Sequence, residues 1–128
     1  MQRCSFHDYD IRSGVKQKRK IALLVKEILR KKRSDFNINY IFCSDEYLLS
    51  INKTYLKHNT LTDIITFDLS EQDNDLLIAD IYISIERIEE NAKKFKKTFT
   101  EELLRVVVHG VLHLLGYKDK TKVQKTTM

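Results

Sequence analysis

The stretch HGVLHLLGYKD, residues 109–119, determines how the rest of the chain is interpreted. An apolar helix over this stretch would present His109 and His113 on one face, one turn apart. Gly116 is the residue type that commonly ends a helix in the left-handed conformation, so the chain can turn back after it. Asp119 can then reach the same ion, which gives the spacing H-x3-H-x5-D. Two imidazoles and one carboxylate leave a coordination position open, as catalytic metal sites do.

The histidines also have a structural explanation, because the helix around them is otherwise strongly apolar. Buried imidazoles cost stability unless they have polar partners, and Asp80 or backbone carbonyls are candidates for that role. Gly110 favours the metal site: a glycine inside a helix costs about 1 kcal/mol relative to alanine, and close approach of another segment is a reasonable cause. Gly110 also occupies the position of the general-base glutamate in HExxH metallopeptidases. We therefore expect no peptidase activity.

The composition predicts one domain with a basic surface. A length of 128 residues suits one domain, and a hydrophobic share of 42% suffices for one core. Lysine and arginine number 23 against 18 acidic residues, so the net charge of +5 favours a polyanionic partner. Each basic segment alone is explained as a solvated helix face or end, but together with a metal site they favour nucleic acid. The segments are KQKRK (16–20), RKKR (30–33), KKFKK (93–97) and KDKTKVQK (118–125).

Membrane insertion and secretion are not expected. No apolar run approaches the roughly 20 residues that span a membrane, and residues 1–14 lack the apolar core of a signal peptide. Cys4 and Cys43 are far apart and form no CxxC motif, so we expect buried or edge thiols. A reducing cytoplasm fits this use of cysteine.

Periodicity and capping signals predict the order β-α-β-α-β-β-α-α. Ser44 or Asp45 can cap the second helix, and Thr98 with Glu101 has capping-box spacing for the last one. This order favours an α+β domain with a small mixed sheet packed against helices. We expect strands at 5–11, 36–43, 63–69 and 76–84, and helices at 15–33, 45–56, 85–97 and 99–115.

The segment that starts at His109 resembles the motif H-G-x-L-H-L-x-G-Y-D-H of the YbeY family of rRNA-maturation endoribonucleases. Seven fixed family positions match through Tyr117. Upstream, NKTYLKHNTLTDIITF (52–67) is similar to the family segment N-x-x-Y-R…T-D-V-L-S-F, and IADIYIS (78–84) is similar to its strand L-G-D-I-x-I-S. The resemblance covers nearly the whole chain and describes residues 1–128 as a single domain.

The resemblance implies a zincin-like α+β fold and a bound zinc. It also implies processing of the 3′ end of small-subunit rRNA and ribosome quality control in bacteria. The expected partners are rRNA and the small ribosomal subunit, with no DNA and no membrane. The first two histidine ligands of the family correspond to His109 and His113. The third family ligand is a histidine, and the ungapped position here is Asp119.

The chain departs from the family pattern at two positions. The first is the pair D-H at the end of the motif, which is Lys118-Asp119 here. Carboxylates are legitimate zinc ligands, and two histidines with one carboxylate also suit ferrous iron or manganese. An alignment with one inserted residue would instead leave Lys120 at the third ligand position and abolish the site. We favour the ungapped alignment because Asp119 is a workable ligand. The family arginine after the tyrosine is Leu56 here, and Lys57 and His58 beside it are candidates to bind the phosphate in its place.

These residues predict a metal-dependent endoribonuclease that cuts single strands. A bound divalent ion polarises a phosphoryl oxygen and lowers the pKa of bound water to about 7. Lys57, His58 and Arg105 are candidates to neutralise phosphate charge, and His58 is also a candidate catalytic residue. Two alternatives stay open: a non-catalytic ribosome-associated RNA-binding factor with a structural metal, and a metal-dependent hydrolase of another substrate. A structural site normally has four protein ligands, and finding three favours catalysis.

Overall fold

The computed structural model describes residues 2–30, 35–71 and 76–116. These residues form strands and helices in the predicted order, so the α+β class with a small mixed sheet packed against helices is confirmed. The strands are β1 (Gln2–Asp8), β2 (Phe36–Cys43), β3 (Ile64–Asp68) and β4 (Leu77–Ser84). The helices are α1 (Lys18–Leu29), α2 (Asp45–Leu56), α3 (Ile85–Lys94) and α4 (Phe99–Leu114).

The four strands form one sheet in the order β1-β2-β4-β3. β2 pairs in parallel with both β1 and β4, whereas β3 pairs antiparallel with β4. β3 is therefore an edge strand of this sheet, and α4 packs against it.

The two faces of the sheet are covered by different helices. Alternate residues of a strand point to opposite faces, and the buried face of β4 carries Leu77, Ala79, Ile81 and Ile83. These residues join α1, α3 and α4 in the main hydrophobic core. A smaller apolar cluster on the other face is built from α2 and the strands β2 and β3. The helix that carries the histidines therefore lies on the main-core face.

The first strand differs from its predicted range of 5–11. β1 pairs with β2 from Gln2 to Asp8, and the chain then bends. The Asp8 carboxylate accepts a hydrogen bond from the Ser13 N–H at 3.1 Å, and the Asp10 carboxylate accepts one from the Ser44 N–H at 2.9 Å. The Tyr9 N–H still donates to the Phe42 carbonyl at 2.9 Å, and the pairing ends there because the two aspartates bind backbone outside the strand.

Two helices are shorter than predicted. α1 begins at Lys18 rather than at residue 15, because the Val15 N–H is bound by the Ser13 hydroxyl at 3.2 Å before the helix starts. Its predicted end at residue 33 lies outside the described residues. α3 ends at Lys94 rather than at residue 97, because Lys96 adopts a positive φ of 58°.

Two smaller predictions, on Gly116 and on the cysteines, are confirmed. Gly116 has a φ of +94° just after α4, as a helix-ending glycine should. Cys43 is buried, Cys4 is half-buried, and both are free thiols. Burial raises the pKa of Cys4 to about 11 and that of Cys43 to about 12. Among the described residues, no helix combines the length and the apolar character that crossing a membrane requires.

Candidate metal centre

The N-terminus of α4 is fixed by the predicted capping box. The Thr98 hydroxyl accepts from the Glu101 N–H at 3.0 Å, and the Glu101 carboxylate accepts from the Thr98 N–H at 2.9 Å. One face of α4 is buried against the sheet, and the opposite side is open to solvent. The buried face consists of Glu102, Leu103, Val106, Val107, Gly110, Val111 and Leu114.

The two histidines are neighbours on α4. Their ring centroids lie 6.2 Å apart with 44° between the ring planes. His109 is exposed and His113 is half-buried. Zn–N bonds measure about 2.0–2.1 Å, so rings at this separation can bind one ion between them. The donor set on this face therefore fits a divalent metal, and the role of each histidine as a ligand stays a prediction.

Gly110 is a point of close contact between α4 and β3. A Cβ atom at this position would lie 2.8 Å from Ile64 Cδ1 and 3.4 Å from Thr66 Oγ1. The expectation that another segment approaches this glycine is confirmed. The close approach places the edge strand directly beneath the turn of helix that carries His109 and His113.

Asp80 lies on the opposite side of the sheet from the histidines. Its neighbour Ile81 points towards Gly110, with Cδ1 3.8 Å from the position of a Cβ there. Since adjacent strand residues point to opposite faces, the Asp80 side chain points away from α4. There it accepts a hydrogen bond from the Asn39 amide at 3.1 Å. The alternative that Asp80 is a partner of the histidines is therefore wrong.

Arg105, one turn before His109, is paired with two carboxylates. Its Nη2 lies 2.7 Å from Glu102 Oε2 and 3.5 Å from Asp63 Oδ2. Its Nε donates to Glu102 Oε1 at 3.1 Å. The guanidinium is still 57% exposed, so it can also meet solvent or a phosphate. Its predicted role in neutralising phosphate stays a prediction, but this guanidinium is already paired with two carboxylates.

Asp63 is a further acidic group beside the candidate site. Burial raises its pKa, and the positive charge of Arg105, a backbone hydrogen bond and the charge of His109 act in the opposite direction. Its backbone carbonyl accepts from the Ser84 N–H at 3.1 Å, which fixes the start of β3 against the end of β4. A mostly buried carboxylate thus lies close enough to His109 for their charges to interact.

Asp63 and Glu102 are two residues of this site that the sequence pattern does not predict. Glu102 did leave a signal, because it is an acidic residue on the buried face of an apolar helix, seven positions before His109. Asp63 left none in local periodicity, since it precedes a strand and meets α4 only in the folded chain.

Lys57 and His58 lie in the loop between α2 and β3. Lys57 has a φ of 60°, and its N–H caps the helix by donating to the Asn52 carbonyl. The His58 N–H donates to the same carbonyl at 3.1 Å. Both side chains are exposed, whereas Leu56 is half-buried and packs on the apolar cluster under α2. The proposed roles of Lys57 and His58 stay predictions.

The third predicted ligand, Asp119, lies outside the described residues, as does the competing Lys120. Within residues 2–30, 35–71 and 76–116, no group of three or more histidine, cysteine or acidic side chains is arranged to hold a metal ion. The described part of the site is therefore the pair on α4.

Comparison with known proteins assigns the family. The family model described as Endoribonuclease YbeY matches residues 7–128. The chain belongs to the YbeY family. It is 56% identical over 101 residues to the Endoribonuclease YbeY of Flavobacterium psychrophilum, covering 79% of this chain and 71% of that protein. It is 45% identical over 124 residues to the Endoribonuclease YbeY of Cytophaga hutchinsonii, covering 96% and 86%.

A solved structure has the same fold. The solution structure of TM1509 from Thermotoga maritima superposes with a TM-score of 0.65 at 31% sequence identity. The match covers 97% of this chain and 79% of that one. The mixed sheet and its helices, including the helix with the histidine pair, therefore belong to a fold already seen in solution.

Proposed function

We propose that this chain is a metal-dependent endoribonuclease that cleaves single-stranded RNA. The observation that carries the proposal is that His109 and His113 lie side by side on α4 in a chain of the YbeY family. His109 is exposed and His113 is half-buried. The relatives that the chain matches are named endoribonucleases. Three predicted ligands, rather than the four usual in a structural site, favour catalysis over a structural role.

The proposed ligand set is His109, His113 and Asp119, with Asp119 in place of a histidine found in the family motif. Zinc is the first choice of metal, and iron or manganese are alternatives for two imidazoles and a carboxylate. When bound, a divalent ion supplies a Lewis acid for a phosphoryl oxygen and lowers the pKa of its water. The described donors support this set because the two rings are neighbours on α4, with His109 exposed and His113 half-buried.

The residues around the pair suit an anionic substrate. Arg105 is held next to His109 by Glu102, and its exposed edge offers N–H donors to a phosphate. The exposed Lys57 and His58 are on the loop that leads to Asp63, the acidic residue near His109. We propose that they contact the phosphate that the family arginine would bind, with His58 as the candidate proton donor or acceptor.

The proposed substrate is the 3′ end of small-subunit rRNA, in the cytoplasm and in contact with the small ribosomal subunit. The net charge of +5 supports a polyanionic partner. The choice of small-subunit rRNA as the substrate comes from the family resemblance. We expect DNA and membranes to be absent from the function.

Metal analysis tests the proposed site most simply. Purified protein should contain about one divalent ion per chain, and His113→Ala and Asp119→Ala should each lose most of it. His7→Ala is the matched control, because His7 is an exposed histidine on β1. Full occupancy in Asp119→Ala would remove Asp119 from the ligand set. Full occupancy in His113→Ala would overturn the proposed centre.

A further inference from the structure

Two basic segments that are far apart in the sequence meet at the N-terminus of α4. The Gln17 amide, in the segment 16–20, donates to the Thr100 hydroxyl at 2.9 Å across 83 positions. The segment 93–97 directly precedes the helix cap at Thr98. The fold therefore joins two lysine-rich segments into one basic surface around the start of the helix that carries the histidines.

Hydrogen bonds fix the backbone of the turn between α3 and α4. The Lys97 N–H donates to the Ala92 carbonyl at 2.8 Å, and the Lys96 N–H donates to the Lys93 carbonyl at 3.2 Å. With Lys96 in the left-handed conformation, this is the Schellman pattern of a helix end. The backbone of such a turn has little freedom, so the Cα positions of residues 93–97 are fixed relative to the start of α4.

An exposed phenylalanine is at the centre of this turn. Phe95 is 52% exposed, although its ring would gain about 2 kcal/mol from burial. The Lys94 ammonium lies 5.6 Å from the centroid of the ring. An exposed aromatic ring surrounded by lysines is the arrangement with which proteins bind single-stranded nucleic acid.

An open cavity lies beside the phenylalanine. Its volume is about 690 Å³, and it is lined by Phe95, Lys97, Glu101, Glu102 and Arg105. Ligand sites commonly fall between about 300 and 1,000 Å³. The two carboxylates do not leave the cavity acidic. Glu102 is paired with Arg105, and Glu101 is bound to the N-terminal backbone of α4.

The cavity and the histidine pair share one side of α4. Residues spaced by four lie on the same face of a helix, about 6 Å further along its axis. Glu101 and Arg105, which line the cavity, are thus followed at that spacing by His109 and His113. An RNA strand with a phosphate at His109 would therefore pass over the cavity where it continues towards the N-terminus of α4.

We infer that this cavity binds a base of single-stranded RNA next to the nucleotide that is cleaved. Phe95 stacks on the base, Lys97 contacts a flanking phosphate, and the joined segments 16–20 and 93–97 attract the strand that continues beyond it. The inference rests on the proposed function for the position of the cleaved phosphate. Stacking on an aromatic ring tolerates any base, so binding here should depend little on sequence.

Equilibrium binding of labelled oligouridylate, followed by fluorescence anisotropy, tests the inference without requiring cleavage. Phe95→Leu should weaken binding about 10-fold, because base stacking is lost while an apolar side chain remains. Tyr55→Leu is the matched control, since Tyr55 is 67% exposed but on α2, at the other face of the sheet. This control should bind as the native protein does.

The salt dependence of the oligouridylate affinity tests whether Lys97 contacts a phosphate. Lys97→Gln should reduce the slope of log affinity against log salt by about one, because one phosphate contact is removed. Lys53→Gln, an exposed lysine on α2, should leave the slope unchanged. Circular dichroism and thermal unfolding verify that all four variants are folded.

The outcomes separate this inference from the proposed function. His109→Ala should lose cleavage, and Phe95→Leu should weaken oligouridylate binding by the same factor in the His109→Ala background as in the native protein. If Phe95→Leu and Lys97→Gln bind like the native protein while His109→Ala abolishes cleavage, the base site is wrong and the proposed function stands. If both variants bind weakly but His109→Ala still cleaves, the base site stands and the metal chemistry fails. No binding by the native protein at low salt overturns the inference outright.

Discussion

The Arg105 guanidinium holds the buried Glu102 carboxylate with two hydrogen bonds, from Nε to Oε1 at 3.1 Å and from Nη2 to Oε2 at 2.7 Å. Glu102 is 2% exposed on a helix face that is otherwise apolar. A buried carboxylate is costly unless it is paired and hydrogen-bonded. Arg105 therefore stabilises the buried Glu102 carboxylate of α4 and also places a positive charge next to His109.

Arg105→Met should lower the free energy of unfolding by about 2 kcal/mol, because it leaves the Glu102 charge buried without its partner. Glu102→Gln should cost less, since the amide oxygen still accepts from the guanidinium. Urea unfolding of the two variants and of the native protein measures the difference. If Arg105→Met is as stable as native protein, solvent or another group must satisfy Glu102.

Gly110→Ala should destabilise the protein, although alanine is the better helix former. The new Cβ would lie 2.8 Å from Ile64 Cδ1, and overpacking costs about 1–3 kcal/mol against a gain of about 1 kcal/mol in helix propensity. Ile64→Val removes that Cδ1 atom. In a double-mutant cycle, the double variant should thus lose less stability than the two single losses added together. If the two losses of stability simply add, contact with Ile64 Cδ1 is not the cause of the loss in Gly110→Ala.

Thr98→Ala should lower the free energy of unfolding by about 1 kcal/mol, because α4 loses its N-cap hydrogen bond. Thr98→Ser keeps a hydroxyl at the cap and is the control for the loss of that bond. Thermal unfolding should place the serine variant near the native protein and the alanine variant clearly below it. Equal losses in both variants would assign the effect to the Thr98 methyl group.

The capping box also predicts a pH effect. The hydrogen bond from the Thr98 N–H holds the pKa of Glu101 below its ordinary value of 4.5. A carboxyl with a lowered pKa in the folded state stabilises the protein above its unfolded-state pKa, and the effect is lost as pH falls through the folded-state pKa. Glu101→Gln should therefore lose stability relative to native protein at pH 7 and approach it at low pH. Glu89→Gln, an exposed carboxylate variant on α3, controls for general charge effects.

The sequence predicted the features that depend on local pattern. The period of α4 placed His109 and His113 side by side, and Gly110 indicated the close approach of another segment, which proved to be β3. The cluster of Asp63, Glu102 and Arg105 was not predicted, because α4 meets the start of β3 only through tertiary packing. Asp80 was considered as a partner for the histidines, although the alternation of β4 places it on the opposite face.

The range of β1 was wrong for a related reason. Its predicted continuation to residue 11 fitted the local pattern, but Asp8 and Asp10 bind backbone groups of residues 13 and 44 instead. Hydrogen bonds from side chains to distant backbone leave no periodic signal. The elements whose ends depend on capping within the same helix, such as α4 at Thr98, were predicted closely.

The central claim is that a metal at His109 and His113 performs RNA cleavage. The most direct measurement is the rate of cleavage of single-stranded rRNA fragments, free of contaminating nuclease, before chelation, after chelation and after zinc is returned. Native protein should lose cleavage on chelation and regain it with zinc, whereas His109→Ala should be inactive throughout while its circular dichroism spectrum stays native. Equal cleavage by native protein and folded His109→Ala, or cleavage by native protein that survives chelation, would contradict the account.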